Sequence, residues 1–180
     1  DGAAVARLLG DAPVIESHGR AFPVETRHVD PDPNARLEDL VAATIRTALR
    51  IETGSVLAFL PGQAEITRTA ERLAGNVAAD TDIAPLYGQL SPAEQDRAIA
   101  PAPPGRRKIV LATAIAETSL TIEGVRVVVD SGFARVPAYD PATGLTTLET
   151  RRVSRASADQ RRGRAGRIEP GVCYRLWNEG

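Results

Sequence analysis

Apolar residues along the chain follow two alternating patterns, one with helical spacing and one in short unbroken runs. Apolar residues spaced three or four apart predict one helix over 35–51 and a second around 66–74. The unbroken runs predict buried strands, at 55–60, 83–87, 108–112 and 125–130. Because strands alternate with helices, we expect an α/β sandwich with a mainly parallel sheet that is covered on both faces.

A third helix is predicted from its capping signals. Ser91, Pro92 and Glu94 form the start of a capping box, and the helix should run to about Ala100 before the PAPPG run of 101–105 ends it. In sheets of this kind, ligands gather at the carboxyl ends of the strands. This rule predicts that the segments with functional residues are 61–63, 113–121 and 130–133.

Residues 133–153 interrupt the alternation of strands and helices. Turn residues Asp140, Pro141 and Gly144 lie between two extended arms, which predicts a protruding β-hairpin. An alternative is a ribbon that only covers the edge of the sheet.

Composition and charge point to one domain with a local basic segment. The 180 residues are 43% apolar, enough for one substantial core. Residues 151–167 carry seven arginines against Asp159, giving +6, so the rest of the chain sums to −7 because the net charge is −1. Such a local concentration favours a defined anionic contact over general adhesion to polyanions.

Other residue types exclude several classes of site. Cys173 is the single cysteine, so no internal disulfide can form, and its apolar surroundings predict a buried thiol in a strand. His18 and His28 lack partners at ligand spacing, and we expect no structural metal. No apolar stretch approaches the roughly 20 residues that span a bilayer, so a soluble, cytoplasmic protein without membrane contacts is expected.

The segment QRRGRAGR, residues 160–167, carries the strongest chemical signal. Its placement predicts the start of a helical turn, on which Arg164 and Arg167 would project from one face. Gly163 and Gly166 would allow close approach of the backbone. Guanidinium groups bind phosphate oxygens through paired hydrogen bonds, so this face suits a γ-phosphate. The alternative is a solvated basic turn.

Four segments together resemble one known family. They are LAFLPGQAEI (57–66), LATAIAETSLTI (111–122), VVVDSGF (127–133) and QRRGRAGR (160–167). In this order they resemble the second RecA-like domain of DEAH-box helicases, and the compact spacing is most similar to bacterial members. The resemblance implies a RecA-like three-layer sandwich over 13–180. It also implies that 1–12 is the tail of a preceding RecA-like domain.

The resemblance also implies partners that this chain does not supply. Neither the phosphate-binding pattern GxxxxGK[ST] nor a DEAH tetrapeptide occurs in the sequence. In the family both belong to the first RecA-like domain, expected N-terminal to this chain, which would hold most of the ATP (or another NTP) and its Mg²⁺. We therefore expect the isolated domain to be inactive. The full-length protein would be an ATP-dependent RNA helicase with C-terminal accessory domains.

Site residues follow from the resemblance position by position. The family implies that Gln160 positions the attacking water or the γ-phosphate, and that Arg164 and Arg167 act as arginine fingers. Further positions near the nucleotide are Ser119, Thr121, Glu123, Ile99 and Gly163. Positions implied for the RNA are Pro61, Gly62, Gln63, Thr113 and Arg161. For 119–123, the alternative is a simple helix cap.

Two positions depart from the family pattern. Ala114 replaces an asparagine, and Ile99 replaces an aromatic residue that stacks on adenine. An isoleucine offers no π-stacking, so weak discrimination among nucleotides is expected. Two other functions stay open: a module that binds nucleic acid or protein without catalysis, and a translocase on single-stranded DNA instead of RNA.

Overall fold

A computed structural model of the chain describes residues 6–8, 10, 13, 22–117, 120–141 and 144–179. Its centre is a six-stranded sheet in which all neighbouring strands are parallel. The strands are β1 (Val24–His28), β2 (Ser55–Phe59), β3 (Thr81–Leu86), β4 (Arg107–Ala112), β5 (Val125–Asp130) and β8 (Gly171–Arg175). They lie in the order β1-β8-β5-β2-β4-β3, and β6 (Phe133–Asp140) pairs with β7 (Leu145–Arg152) in a separate hairpin.

Beyond residue 22, the helices of the described part are α1 (Leu37–Ile51), α2 (Gln63–Leu73), α3 (Pro92–Ile99) and α4 (Arg155–Arg162), together with a 3₁₀ turn at Ala114–Ala116. They cover both faces of the sheet. Along β2, Val56 and Ala58 pack into the cluster under α1 and α2, while Leu57 and Phe59 pack into the cluster that contains Ala98 of α3. The predicted three-layer α/β sandwich is therefore confirmed.

Most predicted elements have the expected bounds. The capping box of α3 forms, with Ser91 N donating to Glu94 Oε2 at 2.9 Å, and Cys173 is buried in β8. Strand β3 begins two residues before its predicted start, at Thr81. Polar Thr81 and Asp82 fit there because β3 is an edge strand with half-exposed positions.

The predicted hairpin over 133–153 is also confirmed. Strands β6 and β7 pair antiparallel from Phe133↔Arg152 to Asp140↔Leu145, and all eight positions of β7 are exposed. Its root is tied to the sheet, since Val153 N donates to the Gly132 carbonyl at 3.0 Å.

Of the predicted domain tail over 1–12, only residues 6–8 and 10 lie within the described part, and 6–8 are helical. That assignment stays a prediction. Across the described ranges, no helix is long and apolar enough to cross a bilayer.

Candidate nucleotide and nucleic-acid sites

The QRRGRAGR segment ends a helix instead of starting one, which corrects the sequence prediction. Helix α4 begins after Ser154, whose hydroxyl accepts from Ser157 N at 3.1 Å, and Gly163 is its C-cap. The chain then passes so close to the start of β1 that a Cβ on Gly166 would lie 2.5 Å from the Phe22 carbonyl oxygen. A non-glycine residue could not make this approach, so contacts with the start of β1 fix how the segment leaves α4.

Arg164 lies just beyond α4 and is directed inward. Only 5% of it is exposed. Its Nε donates to the Glu117 carbonyl at 3.0 Å, and its Nη1 donates to the Leu120 carbonyl at 2.6 Å. Burial lowers the pKa of the Arg164 guanidinium, and repulsion from Arg167 acts in the same direction. Within the described residues, the acceptors that hold this guanidinium are therefore the neutral carbonyls of the loop after the 3₁₀ turn.

Arg167, by contrast, is exposed. Its Nη1 donates to the Thr121 hydroxyl at 2.9 Å, which brings together two residues that the sequence placed near the nucleotide. Gln160, Gly163 and Glu123 are exposed as well. Ser119 lies outside the described residues. We call Arg164, Arg167 and Thr121 the arginine cluster.

The burial of Arg161 contradicts the prediction that this residue contacts RNA. Its side chain is fully buried. The Nη1 and Nε atoms lie 2.7 Å from Asp130 Oδ1 and Glu117 Oε1, and the guanidinium stacks over the Phe59 ring at 4.8 Å. Burial raises the pKa of the Asp130 carboxyl, and the Arg161 charge opposes that shift. A guanidinium enclosed in this way cannot contact RNA at the surface.

Ile99 ends α3 and is half-buried. With Leu120, it packs against the apolar cluster on the α3 face of the sheet. Its surroundings are fixed by Lys108 of β4, whose buried Nζ donates to the carbonyls of Arg97 at 2.9 Å and Ala100 at 2.5 Å. The Leu120 carbonyl also accepts from Arg164 of the segment after α4. Ile99 and Arg164 therefore both contact the layer that covers the α3 face of the sheet.

The residues predicted to contact RNA, apart from Arg161, line a single groove. Pro61, Gly62, Gln63 and Thr113 border a cavity of about 420 Å³. They come from the ends of β2 and β4, which are neighbours in the sheet. We call this cavity the edge groove. Its other lining residues are Tyr87, Gly88, Gln89, Ala114, Arg135 and Leu148.

Residues 35–169 match the family described as the helicase conserved C-terminal domain. The chain belongs to this family. It is 54% identical over 170 residues to the ATP-dependent RNA helicase HrpB of Escherichia coli (strain K12), and the match covers 94% of this chain and 21% of HrpB. It is 41% identical over 177 residues to the pre-mRNA-splicing factor ATP-dependent RNA helicase prp22 of Schizosaccharomyces pombe, and that match covers 93% of this chain and 15% of prp22.

Solved structures agree with this assignment. A crystal structure of the E. coli DExH-box NTPase HrpB matches with a TM-score of 0.89 and 52% identity, over 99% of this chain and 22% of that one. A second, described as the E. coli DEAH/RHA helicase HrpB, matches with a TM-score of 0.90 and 52% identity, over 99% of this chain and 23% of that one. The chain is thus a C-terminal RecA-like domain of the DEAH-box kind, and it spans about a fifth of the length of HrpB.

In this helicase domain the residues of the edge groove follow the carboxyl ends of β2, β3 and β4. The backbone beyond α4 reaches the other end of the sheet, since the Gly166 carbonyl accepts from Phe22 N just before β1. The Arg164 side chain, however, donates to the carbonyl of Glu117, only four residues after Thr113 of the groove. The prediction that 113–121 follows the carboxyl edge stays a prediction for Thr121, which lies four residues before β5. The chain must cross back over the sheet before it can start the parallel strand β5.

Sequence reasoning missed several groove residues of the helicase domain. Gly88 and Gln89 follow β3 at its carboxyl end, so the rule that gave 61–63 could also have found them. No such pattern in the sequence predicts Arg135, because it lies within the hairpin and not after a strand of the sheet. It packs so closely on the turn before α2 that a Cβ on Gly62 would lie 2.9 Å from its Nε, and it pairs with Glu65 at 3.6 Å.

Proposed function

We propose that this helicase domain is the C-terminal RecA-like half of an ATP-dependent RNA helicase, which couples NTP hydrolysis to movement along single-stranded RNA. The names of the two relatives, both ATP-dependent RNA helicases, support this proposal. The first RecA-like domain, N-terminal in the full-length protein, holds most of the ATP and its Mg²⁺. Accessory domains follow on the C-terminal side.

The arginine cluster provides the nucleotide contacts of this half. Arg164 and Arg167 act as arginine fingers when the two RecA-like domains close, and the exposed Gln160 positions the attacking water or the γ-phosphate. Arg164 now donates to two neutral carbonyls, and a γ-phosphate would replace them with stronger, charged acceptors. Thr121, Ser119 and Glu123 sense the nucleotide or approach its ribose. Gly163 lies near the nucleotide, and Ile99 covers the base. These residue roles remain proposals.

The edge groove holds the RNA backbone, and its composition carries the proposal. Two separate segments, 61–63 and the residue Thr113, are predicted from sequence to contact RNA, and both border this one cavity. The Thr113 hydroxyl, the Gln63 amide and the Arg135 charge suit sequence-independent contacts with phosphates. The hairpin forms one wall through Arg135 and Leu148, which supports its role as the element that separates strands.

The test compares RNA-stimulated ATPase activity in four proteins: the 180-residue domain, the full-length protein, and full-length Arg164→Ala and Arg167→Ala. We expect activity only in the unmutated full-length protein, because the domain lacks the phosphate-binding loop and each variant lacks a finger. Arg106→Ala is the matched control, since Arg106 pairs with Asp82 at the surface and belongs neither to the arginine cluster nor to the lining of the edge groove.

Binding of matched single-stranded RNA and DNA is measured in parallel. If Arg164→Ala retained turnover, the finger assignment would be wrong. If no protein hydrolysed ATP although RNA still bound, the domain would be a binding module without catalysis. Equal affinity for the two strands would contradict a preference for RNA.

A further inference from the structure

The guanidinium of Arg161 joins three segments that are distant in sequence. It contacts Glu117 after the 3₁₀ turn and Asp130 at the end of β5, each at 2.7 Å. Its Nη1 also donates to the carbonyl of Phe133, the first residue of the hairpin, at 3.2 Å. Among the fully buried side chains of the described residues, Arg161 is the largest by volume.

Stability alone is a weak explanation for such a cluster. Taking three charged groups out of water is costly, and apolar residues of similar volume often stabilise a core as well or better. A planar fork with several donors does, however, fix the relative positions of its partners more narrowly than apolar packing does. The segments that Arg161 joins therefore indicate its role.

Two partners of Arg161, Glu117 and Phe133, continue into parts of the proposed machinery. The Glu117 carbonyl accepts from Arg164 of the arginine cluster at 3.0 Å. The same loop starts at Thr113 of the edge groove, whose carbonyl accepts from Ala116 N at 3.2 Å. Phe133 begins β6, and Arg135, two residues further on, also lines the edge groove. The route from the arginine cluster to the hairpin thus consists of direct contacts through one side chain.

We propose that Arg161 is a positioning residue that couples the nucleotide-dependent position of the segment 113–117 to the root of the hairpin. The inference rests on the proposed function. When closure draws Arg164 toward a phosphate, the loop that holds it shifts. The Glu117–Arg161 ion pair passes this shift to Phe133. Nucleotide state thereby sets the position of the hairpin beside the RNA.

The test measures strand separation and ATP hydrolysis together in the full-length protein, for wild type, Glu117→Gln and Arg161→Lys. Glu117→Gln keeps the side-chain volume and removes the charge, while Arg161→Lys keeps the charge and removes the fork. We expect the number of base pairs separated per ATP hydrolysed to fall about tenfold in both, since couplings between sites are commonly worth 5- to 150-fold. A purely structural role would not change this ratio.

Glu52→Gln is the matched control. Glu52 is a largely buried carboxylate that pairs with Arg27 at 2.6 Å and accepts from Tyr174, away from both sites. The number of base pairs that Glu52→Gln separates per ATP hydrolysed should equal that of wild type. If hydrolysis and separation fell in parallel in the two test variants, or if neither fell, the coupling role would be overturned. A wild-type protein that neither hydrolysed ATP nor separated strands would overturn the proposed function, and this inference with it.

Discussion

Replacing Arg164 should destabilise the domain, whereas replacing Arg167 should not, although both are proposed fingers. Arg164→Ala removes two charge-assisted hydrogen bonds and leaves the carbonyls of Glu117 and Leu120 without these donors. Such bonds contribute roughly 1.5–3 kcal/mol each. Burial of the Arg164 charge, which lowers the pKa of the guanidinium, offsets part of this gain. The net loss in the free energy of unfolding should be about 2 kcal/mol.

Arg167→Ala serves as the matched control for this measurement. Arg167 is exposed and donates to one exposed hydroxyl, so its loss should change the free energy of unfolding by less than about 0.5 kcal/mol. Urea unfolding of the 180-residue chain, followed by fluorescence of its single tryptophan, should give a midpoint about 1 M lower for Arg164→Ala alone. Equal midpoints for the two variants would refute the claim that Arg164 is held by the loop carbonyls.

Three further predictions concern other parts of the domain. Burial raises the pKa of the Cys173 thiol to about 12, so a thiol reagent at pH 8 should label it only after unfolding. Its contribution to stability should be constant below the unfolded pKa near 8.5 and should decrease as pH rises from there toward 12. Ile99→Phe should lower the Michaelis constant of the full-length enzyme for ATP roughly 2- to 10-fold through stacking, whereas the unmutated enzyme should use all four nucleotides similarly. Gly171→Ala should lower the unfolding midpoint strongly, because its Cβ would lie 2.6 Å from the Arg126 carbonyl oxygen, while Gly88→Ala, with open space around it, should be nearly neutral.

The layer architecture could be predicted from sequence because its signal is local and repeated. Each strand buried on both faces appears as an unbroken apolar run, and each covering helix shows its own period. Strand β3 begins before its apolar run, because its pairing with β4 includes Thr81 and Asp82. Backbone groups make this pairing, so polar side chains do not prevent it.

The environment of each arginine in the QRRGRAGR segment could not be predicted. Arg161, Arg164 and Arg167 have the same chemistry, yet they are fully buried, nearly buried and exposed. What separates them is the position of partners such as Glu117 and Asp130, which are 44 and 31 residues away from Arg161. Only the folded sheet brings these carboxylates to one guanidinium, so no pattern within the segment reports them.

The paired geometry of the hairpin makes its reach adjustable. Two strands of eight residues extend about 27 Å, and each further residue per strand adds about 3.4 Å. Adding two residues to each strand beyond Tyr139 would lengthen the hairpin and keep Arg135 and Leu148 facing the edge groove. Adding one residue to a single strand near the root would instead turn the outer side chains of that strand to the opposite face. If the proposed function holds, activity assays on such length variants would measure how far from the groove the full-length protein separates a duplex.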